Sequence, residues 1–374
     1  MKSNSAILLI LIITGTVIAS LPASSVSEVT DRSDASTIDS TLQNEDVMIR
    51  NTASAVTLSG TLTTPEGNGP FPAAVLLSVA LPVDRDATHP MGAKLFRTLA
   101  EHLARSGIAT LRWDDRGVGG STGSYFDASV SDLAADALAG VEFLRRRPRV
   151  DPAKVGVIGN SQGAEVGAIA ASRSEDISFV VKLAGVGVTA QEIFRQRVLA
   201  HARKNDYPSE RVDKQIRAIE SLFAIVTNAN ERDRDVSTKQ LLQLFQSNAG
   251  GLFEEEHSML PENPEVRVQL LLSPWYRSQF SFDPAQVLAK IRVPVLIVTG
   301  DLDRINPADQ NLPAMLSALE KGKNPDYTIT RVPRINHIFQ NAKEGGLEEY
   351  MTLAEDFSST GAEIVSSWIR IRFQ

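Results

Sequence analysis

The sequence predicts an α/β architecture: a mostly parallel, doubly wound sheet covered by helices, with a helical cap inserted late in the chain. Two observations carry this. Short continuous apolar runs at residues 73–80, 108–113, 155–158, 179–183, 293–298 and 327–332 have the length and texture of strands buried on both faces. Between them, helical periodicity sets Phe96, Leu99 and Leu103 on one face of one segment, and Leu133, Ala137, Val141 and Leu144 on one face of another. Strands that alternate with amphipathic helices bury their apolar surface most simply as a parallel sheet sandwiched between helix layers.

At the start of the chain, Lys2 supplies a positive charge, residues 6–18 are apolar, and Val17-Ile18-Ala19 offers small residues for cleavage. The run is shorter than the roughly 20 residues a bilayer span needs. It reads as a signal peptide over residues 1–19, and an exported protein, periplasmic or secreted, is expected with no stable membrane span. Residues 20–44 are rich in Ser, Thr and Asp and poor in apolar side chains, as in a disordered tether. Two strands follow at 47–50 and 55–63, the second alternating through Val56, Leu58, Gly60 and Leu62 up to the turn Thr64-Pro65-Glu66-Gly67. They are expected to join the sheet antiparallel. From about 189 to 282 buried strands cease and polar, helix-prone stretches take over, including 209–226 and 237–246 with Leu241, Leu242, Leu244 and Phe245. This is the expected cap. The strand rhythm resumes after Pro284, so residues 45–374 are expected to form one capped domain.

Composition narrows the function. With a net charge of -7 and a pI near 5.4, the chain lacks the clustered cations that phosphate backbones demand. Arg145-Arg146-Arg147 with Arg149 ends a predicted helix and complements its C-terminus. With Cys 0, thiol catalysis and disulfides are excluded, and the His 5 show no paired metal-ligand spacing, so no metal and no cofactor are expected.

The strongest chemical signal is Gly159-Asn160-Ser161-Gln162-Gly163, which follows the apolar run 155–158 and leads into a helix-prone segment. A serine on a sharp strand-to-helix turn needs small neighbours, because backbone elements close in around it. Its hydroxyl also needs a base, and that base an acid to orient it. Residues 293–298 lead into Thr299-Gly300-Asp301-Leu302-Asp303, and residues 327–332 into Pro333-Arg334-Ile335-Asn336-His337. His337 is the candidate base, since His102 lies in a predicted helix, His201 and His257 in the cap, and His89 in a loop. Asp303 is the preferred acid. Asp301 is the alternative, and the unused carboxylate is free to cap the helix starting near Pro307.

These residues, with Asp84-Arg85-Asp86, the stretch from Leu111 to Gly119, Leu183-Ala184-Gly185, Ser273-Pro274-Trp275-Tyr276-Arg277 and Ile335-Asn336-His337-Ile338-Phe339-Gln340, resemble bacterial α/β-hydrolases. The similarity is to the secreted serine esterase type related to dienelactone hydrolases and prolyl oligopeptidase-like enzymes, and it extends over most of the chain. It implies a cofactor-free esterase with Ser161, Asp303 and His337 as its triad. It also implies an oxyanion hole built from the backbone of Gln162 and of the loop after the first buried strand, at Val79. There the chain departs from the pattern, with Ser78-Val79-Ala80-Leu81-Pro82 where a Gly-Ser-Gly-like turn is usual. It departs again at Asn160 and Ala93, where histidines are usual. Asp114, Asp115 and Arg116 read as an ion-pair or turn-capping network, and Trp275, Tyr276 and Phe339 as candidates to line a substrate pocket. The expected function is hydrolysis of a small-molecule carboxylic ester through an acyl-enzyme on Ser161. Acyl transfer or peptide cleavage by the same triad is one alternative, and a catalytically silent binding protein is the other.

Overall fold

The structure, a computed structural model, describes residues 42–88, 93–247, 263–350, 352–353 and 356–374. The expected signal peptide, nearly all of the expected tether, and both His89 and His257 lie outside those residues. Strands β1 (Gln43–Asn51), β2 (Val56–Thr64), β3 (Phe71–Leu77), β4 (Ala109–Trp113), β5 (Val150–Asn160), β6 (Val180–Leu183), β7 (Val295–Gly300) and β8 (Tyr327–Val332) form one 8-stranded sheet. Their order is β1-β2-β4-β3-β5-β6-β7-β8. β1 pairs antiparallel with β2 and β2 antiparallel with β4, while every later pairing is parallel.

Among the strand boundaries that differ from the sequence reading, three differ for a clear local reason. β1 begins at Gln43, so Gln43 and Asn44 belong to the sheet: they pair with Thr64 and Thr63, and the Thr63 hydroxyl donates to Asn44 Oδ1 at 2.7 Å. β5 starts at Val150, five residues before its apolar run, because Val150 still reaches Phe71 across a register shift. β3 stops at Leu77 although the apolar texture continues to Ala80. Its partner register ends there, Leu77 facing Gly159, and Leu81 then takes a left-handed φ of 80° that no strand residue adopts.

Side-chain alternation feeds two cores. Ala73, Val75 and Leu77 point to one face, whose core is closed by α2 (Val130–Arg145), α3 (Gln162–Ala171) and, over β7 and β8, α10 (Ala308–Gly322). Ala74 and Leu76 point to the other, against α1 (Leu95–Arg105) and α12 (Ser359–Phe373). The start of α2 is fixed by a capping box: the Asp132 amide donates to the Ser129 hydroxyl, and the Ser129 amide to the Asp132 carboxylate. The short α9 (Pro284–Leu288) precedes β7 and α11 (Leu347–Tyr350) follows β8; between β6 and α9 run α4 (Ala190–Lys204), α5 (Ser209–Asn228), α6 (Arg234–Ser247), α7 (Pro264–Leu271) and α8 (Pro274–Phe280). These helices share a third core around Ile219, Leu222, Phe223, Leu241, Leu271 and Phe280, in which the Phe223 and Phe280 rings stack at 4.2 Å. No described helix is long and apolar enough to cross a membrane. The sheet thus carries a helical layer above the carboxyl ends of β5, β6 and β7, where the chemistry-bearing residues emerge.

Candidate active site

Ser161 sits between β5 and α3 with φ 53° and ψ -119°, a strained backbone for a residue bearing a Cβ. The strain is sustained because its neighbours leave no alternative. Its amide donates to the Leu183 carbonyl at 2.8 Å, tying the turn to β6. A Cβ on Gly163 would overlap the carbonyl oxygens of Leu77 and Ser78, and one on Gly159 would overlap the Gly163 carbonyl. Both glycines therefore mark close backbone approach, as the motif implied. Gly163→Ala is expected to destabilise the fold by about 3 kcal/mol or more, since the obstructing atoms are backbone and cannot swing aside. Chemical denaturation measures this, and an unchanged midpoint would contradict it.

Three of the residues chosen from sequence come together. The Ser161 hydroxyl lies 2.9 Å from His337 Nε2, and His337 Nδ1 lies 3.0 Å from both Asp303 oxygens. Asp303 and His337 are buried, Ser161 only in part. The Asp303 carboxylate is itself oriented by the amides of Ile305 and Asn306, which donate to Oδ1 at 2.9 and 2.8 Å. Behind the ring, the His337 amide donates to the Tyr350 hydroxyl at 3.2 Å. Asp301 takes no part: its Oδ1 accepts from the Arg334 amide, bracing the turn before His337. Nor does Asp301 cap the following helix, whose N-cap is Pro307. Of the other described histidines, His102 meets Ser366 on α12 and His201 meets Tyr207 in the cap. Asn160, where a histidine is usual, points its amide at the Leu183 and His337 carbonyls at 3.3 and 3.4 Å, joining the elbow to the base's loop.

An oxyanion needs two donors. The Gln162 amide is at the first position of α3, where no intrahelical acceptor exists. The loop 78–83 supplies the other wall, but it turns differently from expectation. Val79 directs its carbonyl to the Tyr125 hydroxyl, 3.5 Å away, and it is Ala80 that faces the cavity beside Ser161. In a trans peptide N–H opposes C=O, so the Ala80 amide points away from Tyr125. Ala80, one residue beyond the expected Val79, is thus the residue of this loop in the cavity wall beside Ser161.

Side chains that the sequence reading placed in a structural network or passed over hold this glycine-free loop. Asp115 accepts the Ser78 hydroxyl at 2.9 and 3.0 Å and the Val83 amide at 3.0 Å, and its own amide donates to the Val83 carbonyl. Asp114 accepts from the amide and guanidinium of Arg85, and Arg116 is locked onto Asp136 at 2.6 Å. The Tyr125 hydroxyl donates to Gln162 Oε1 at 2.5 Å, while Gln162 Nε2 donates to Gln279 Oε1 at 2.7 Å, linking elbow to cap. Burial pushes the Asp115 carboxyl up to about 7, against the Val83 and Ser78 donors that favour its ionised form. An acid whose folded pKa is raised stabilises the fold while protonated, and that contribution is lost as pH rises from its ordinary value near 4 through about 7. Asp115→Asn, which cannot ionise, is expected to keep its melting temperature over this window while that of the unaltered protein falls. Parallel curves would contradict this.

A cavity of about 210 Å³ opens on Ser161. Its wall is mostly apolar, with Ala80, Ile193, Phe194, Leu222, Tyr276 and Phe280 prominent, so sheet loops and cap helices both shape it. Two expected pocket residues are elsewhere. Trp275 is buried behind the elbow, where its indole N–H donates to Gln162 Oε1 at 3.2 Å and its ring abuts Tyr125 and Phe126. Phe339 is fully buried beneath the His337 loop, stacked on Phe357 at 5.1 Å with φ 63°. Tyr276, next to Trp275 on α8, does line the cavity. Among the described residues no group of three or more His, Cys, Asp or Glu is arranged to hold a metal ion.

Residues 138–253 match the family described as BAAT / Acyl-CoA thioester hydrolase C terminal. Esterase EstD of Thermotoga maritima is 35% identical over 118 residues, which is 32% of this chain and 28% of EstD, so the chain matches little more than a quarter of that relative's length. Among solved structures, a Pyrococcus furiosus esterase, Pf2001, superposes with a TM-score of 0.53 at 18% identity, covering 89% of this chain and 92% of that one. DcsB in complex with a substrate analogue gives 0.52 at 17%, covering 88% and 99%. At these identities the structures speak to fold. The 8-stranded, mostly parallel sheet, the serine on its strand-to-helix turn and these likenesses give the chain the α/β-hydrolase fold.

Proposed function

We propose that the chain hydrolyses carboxylic esters through an acyl-enzyme on Ser161. The observation that carries the reading is the continuous line from the Ser161 hydroxyl through the His337 ring to the Asp303 carboxylate, with steps of 2.9 and 3.0 Å. With Nδ1–H donating to Asp303, Nε2 is left with its lone pair toward the serine hydroxyl. As Ser161 Oγ attacks the ester carbonyl, His337 takes its proton, and Asp303 stabilises the resulting imidazolium. The carbonyl oxygen becomes an oxyanion facing the Gln162 and Ala80 amides. When the tetrahedral intermediate collapses, His337 returns the proton to the departing alkoxide and the alcohol leaves. Water, deprotonated by the same imidazole, then attacks the acyl-enzyme, and the carboxylic acid leaves as Ser161 regains its proton.

The occupant of the apolar cavity is a small molecule, and the N-terminal apolar run supports export to the periplasm or medium. Thioesters are the second reading, supported by the match to a thioester hydrolase family, because the same serine can attack either carbonyl. Steady-state hydrolysis of 4-nitrophenyl acetate and butyrate beside butyryl-coenzyme A tests the choice. Turnover of the oxygen esters with a higher kcat/KM is the expected result. A preference for the thioester would overturn the ester reading, and turnover of none by folded protein would favour a silent binding site.

A further inference from the structure

The cavity wall beside Ser161 contains a carboxylate that ester hydrolysis as such does not use. Glu165 lies on α3, one helical turn past the nucleophile, and is 1% exposed. Its Oε1 accepts from the Val186 amide at 2.9 Å and faces Lys182 Nζ at 3.4 Å. Lys182, fully buried on β6, also donates to the Ala164 carbonyl at 3.1 Å. Gly185 closes over this pair, for a Cβ there would stand 3.1 Å from both Glu165 Oε1 and Lys182 Nζ. Glu165 Oε2 is different. It makes no hydrogen bond among the described residues, and Glu165 is part of the cavity wall. A carboxylate oxygen without a protein donor, on a side chain otherwise withdrawn from solvent, gains from any donor that an occupant of the cavity brings.

The charges nearby say what kind of donor. Arg197 is also in the wall, with its guanidinium donating to the Ile305 carbonyl at 3.1 Å and lying 5.8 Å from the Phe194 ring centroid. Burial lowers the Lys182 pKa while Glu165 raises it, and whether Lys182 is charged or neutral, Glu165, Lys182 and Arg197 together carry no net negative charge. An ammonium would add a further cation to a wall that already sets Lys182 and Arg197 against one carboxylate, and so gains less than it would from an unopposed acid. A hydroxyl donates without bringing charge, and the remaining wall accepts the hydrocarbon that carries it.

We propose that Glu165 is a specificity-determining residue, and that the cavity binds an aliphatic acyl group bearing a hydroxyl, which donates to Glu165 Oε2. The inference rests on the serine-esterase reading and adds the substrate's class. Its test uses 4-nitrophenyl esters of hexanoic, 3-hydroxyhexanoic, 6-hydroxyhexanoic, 6-methoxyhexanoic and 6-aminohexanoic acids, read as ratios of kcat/KM. A methoxy group can accept a hydrogen bond but cannot donate one. The unaltered protein is expected to favour a hydroxy ester over the methoxy and amino esters by about tenfold or more. In Glu165→Gln, Oε1 keeps the Val186 amide and an N–H turns to the cavity, so the ratio is expected to fall to one or below. Glu165→Gln/Lys182→Met removes both buried charges at once and gives the same ratio if Lys182 left alone impairs folding, with circular dichroism reporting the fold of each variant. Equal rates for hydroxy and methoxy esters, a preference for the amino ester, or a ratio unmoved in both variants would overturn the inference. Failure to hydrolyse any of the esters would overturn the serine-esterase reading and this inference with it.

Discussion

Ser161→Ala is expected to lower kcat for 4-nitrophenyl butyrate by about 10⁴- to 10⁶-fold while leaving the fold intact. The size follows from what is lost. Without the hydroxyl there is no acyl-enzyme, and the remaining oxyanion donors and cavity give only the residual catalysis of a binding site. The fold should survive because the hydroxyl has one described partner, His337, whereas the amide that anchors the turn to Leu183 belongs to the backbone. Alanine keeps the Cβ and the strained φ, so no new clash arises. Activity assays with melting curves on the same preparation check both halves. A variant that melts normally and still hydrolyses the ester at a comparable rate would mean that another group attacks the carbonyl.

Asp303→Asn is expected to cost about 10⁴-fold in kcat with KM little changed. Asparagine fills the same space and its oxygen can still accept the Ile305 and Asn306 amides, so the loop keeps its course. What fails is the proton inventory. Turned toward His337 Nδ1, the amide nitrogen donates where the carboxylate accepted, which favours the imidazole tautomer with its proton on Nε2 and removes the base facing Ser161. The neutral amide also gives no charge to offset the imidazolium. Asp301→Asn is the matched control. Its partner is the Arg334 amide, and an asparagine oxygen can accept that bond, so its rate should stay within a few-fold. Kinetic comparison of the two variants decides which carboxylate serves the histidine, and a larger loss for Asp301→Asn would reverse the assignment.

The strands, the elbow and the order of the serine, acid and histidine along the chain were legible because each rests on a local pattern. Continuous apolar runs announce buried strands whatever their partners, and Gly159 and Gly163 are dictated by carbonyls a few ångströms away. The pocket was less legible. Trp275 and Phe339 were chosen for their aromatic character, but both belong to the core, one bracing Gln162 and one supporting the His337 loop. Aromatic residues near a site serve packing as readily as recognition, and only tertiary contacts separate the two. The course of the loop after β3, with the Val79 carbonyl near Tyr125, 46 residues away in sequence, and Ala80 in the cavity wall, is something no local pattern reveals. Glu165 and Lys182 did leave a signal. Each is a lone charge inside an apolar stretch, Gln162–Ala171 and residues 179–183, and two opposite charges so placed are expected to find each other. That Glu165 stands in the cavity wall required the structure.

The central claim is that Ser161 is a nucleophile activated by His337 and Asp303. It is tested most directly by treating the folded protein with an alkyl fluorophosphonate and locating the adduct by peptide mass spectrometry. The expected result is stoichiometric phosphonylation on Ser161, abolished in Ser161→Ala and strongly slowed in Asp303→Asn. Folded protein that stays unlabelled, or that carries the adduct on another residue, would contradict the account.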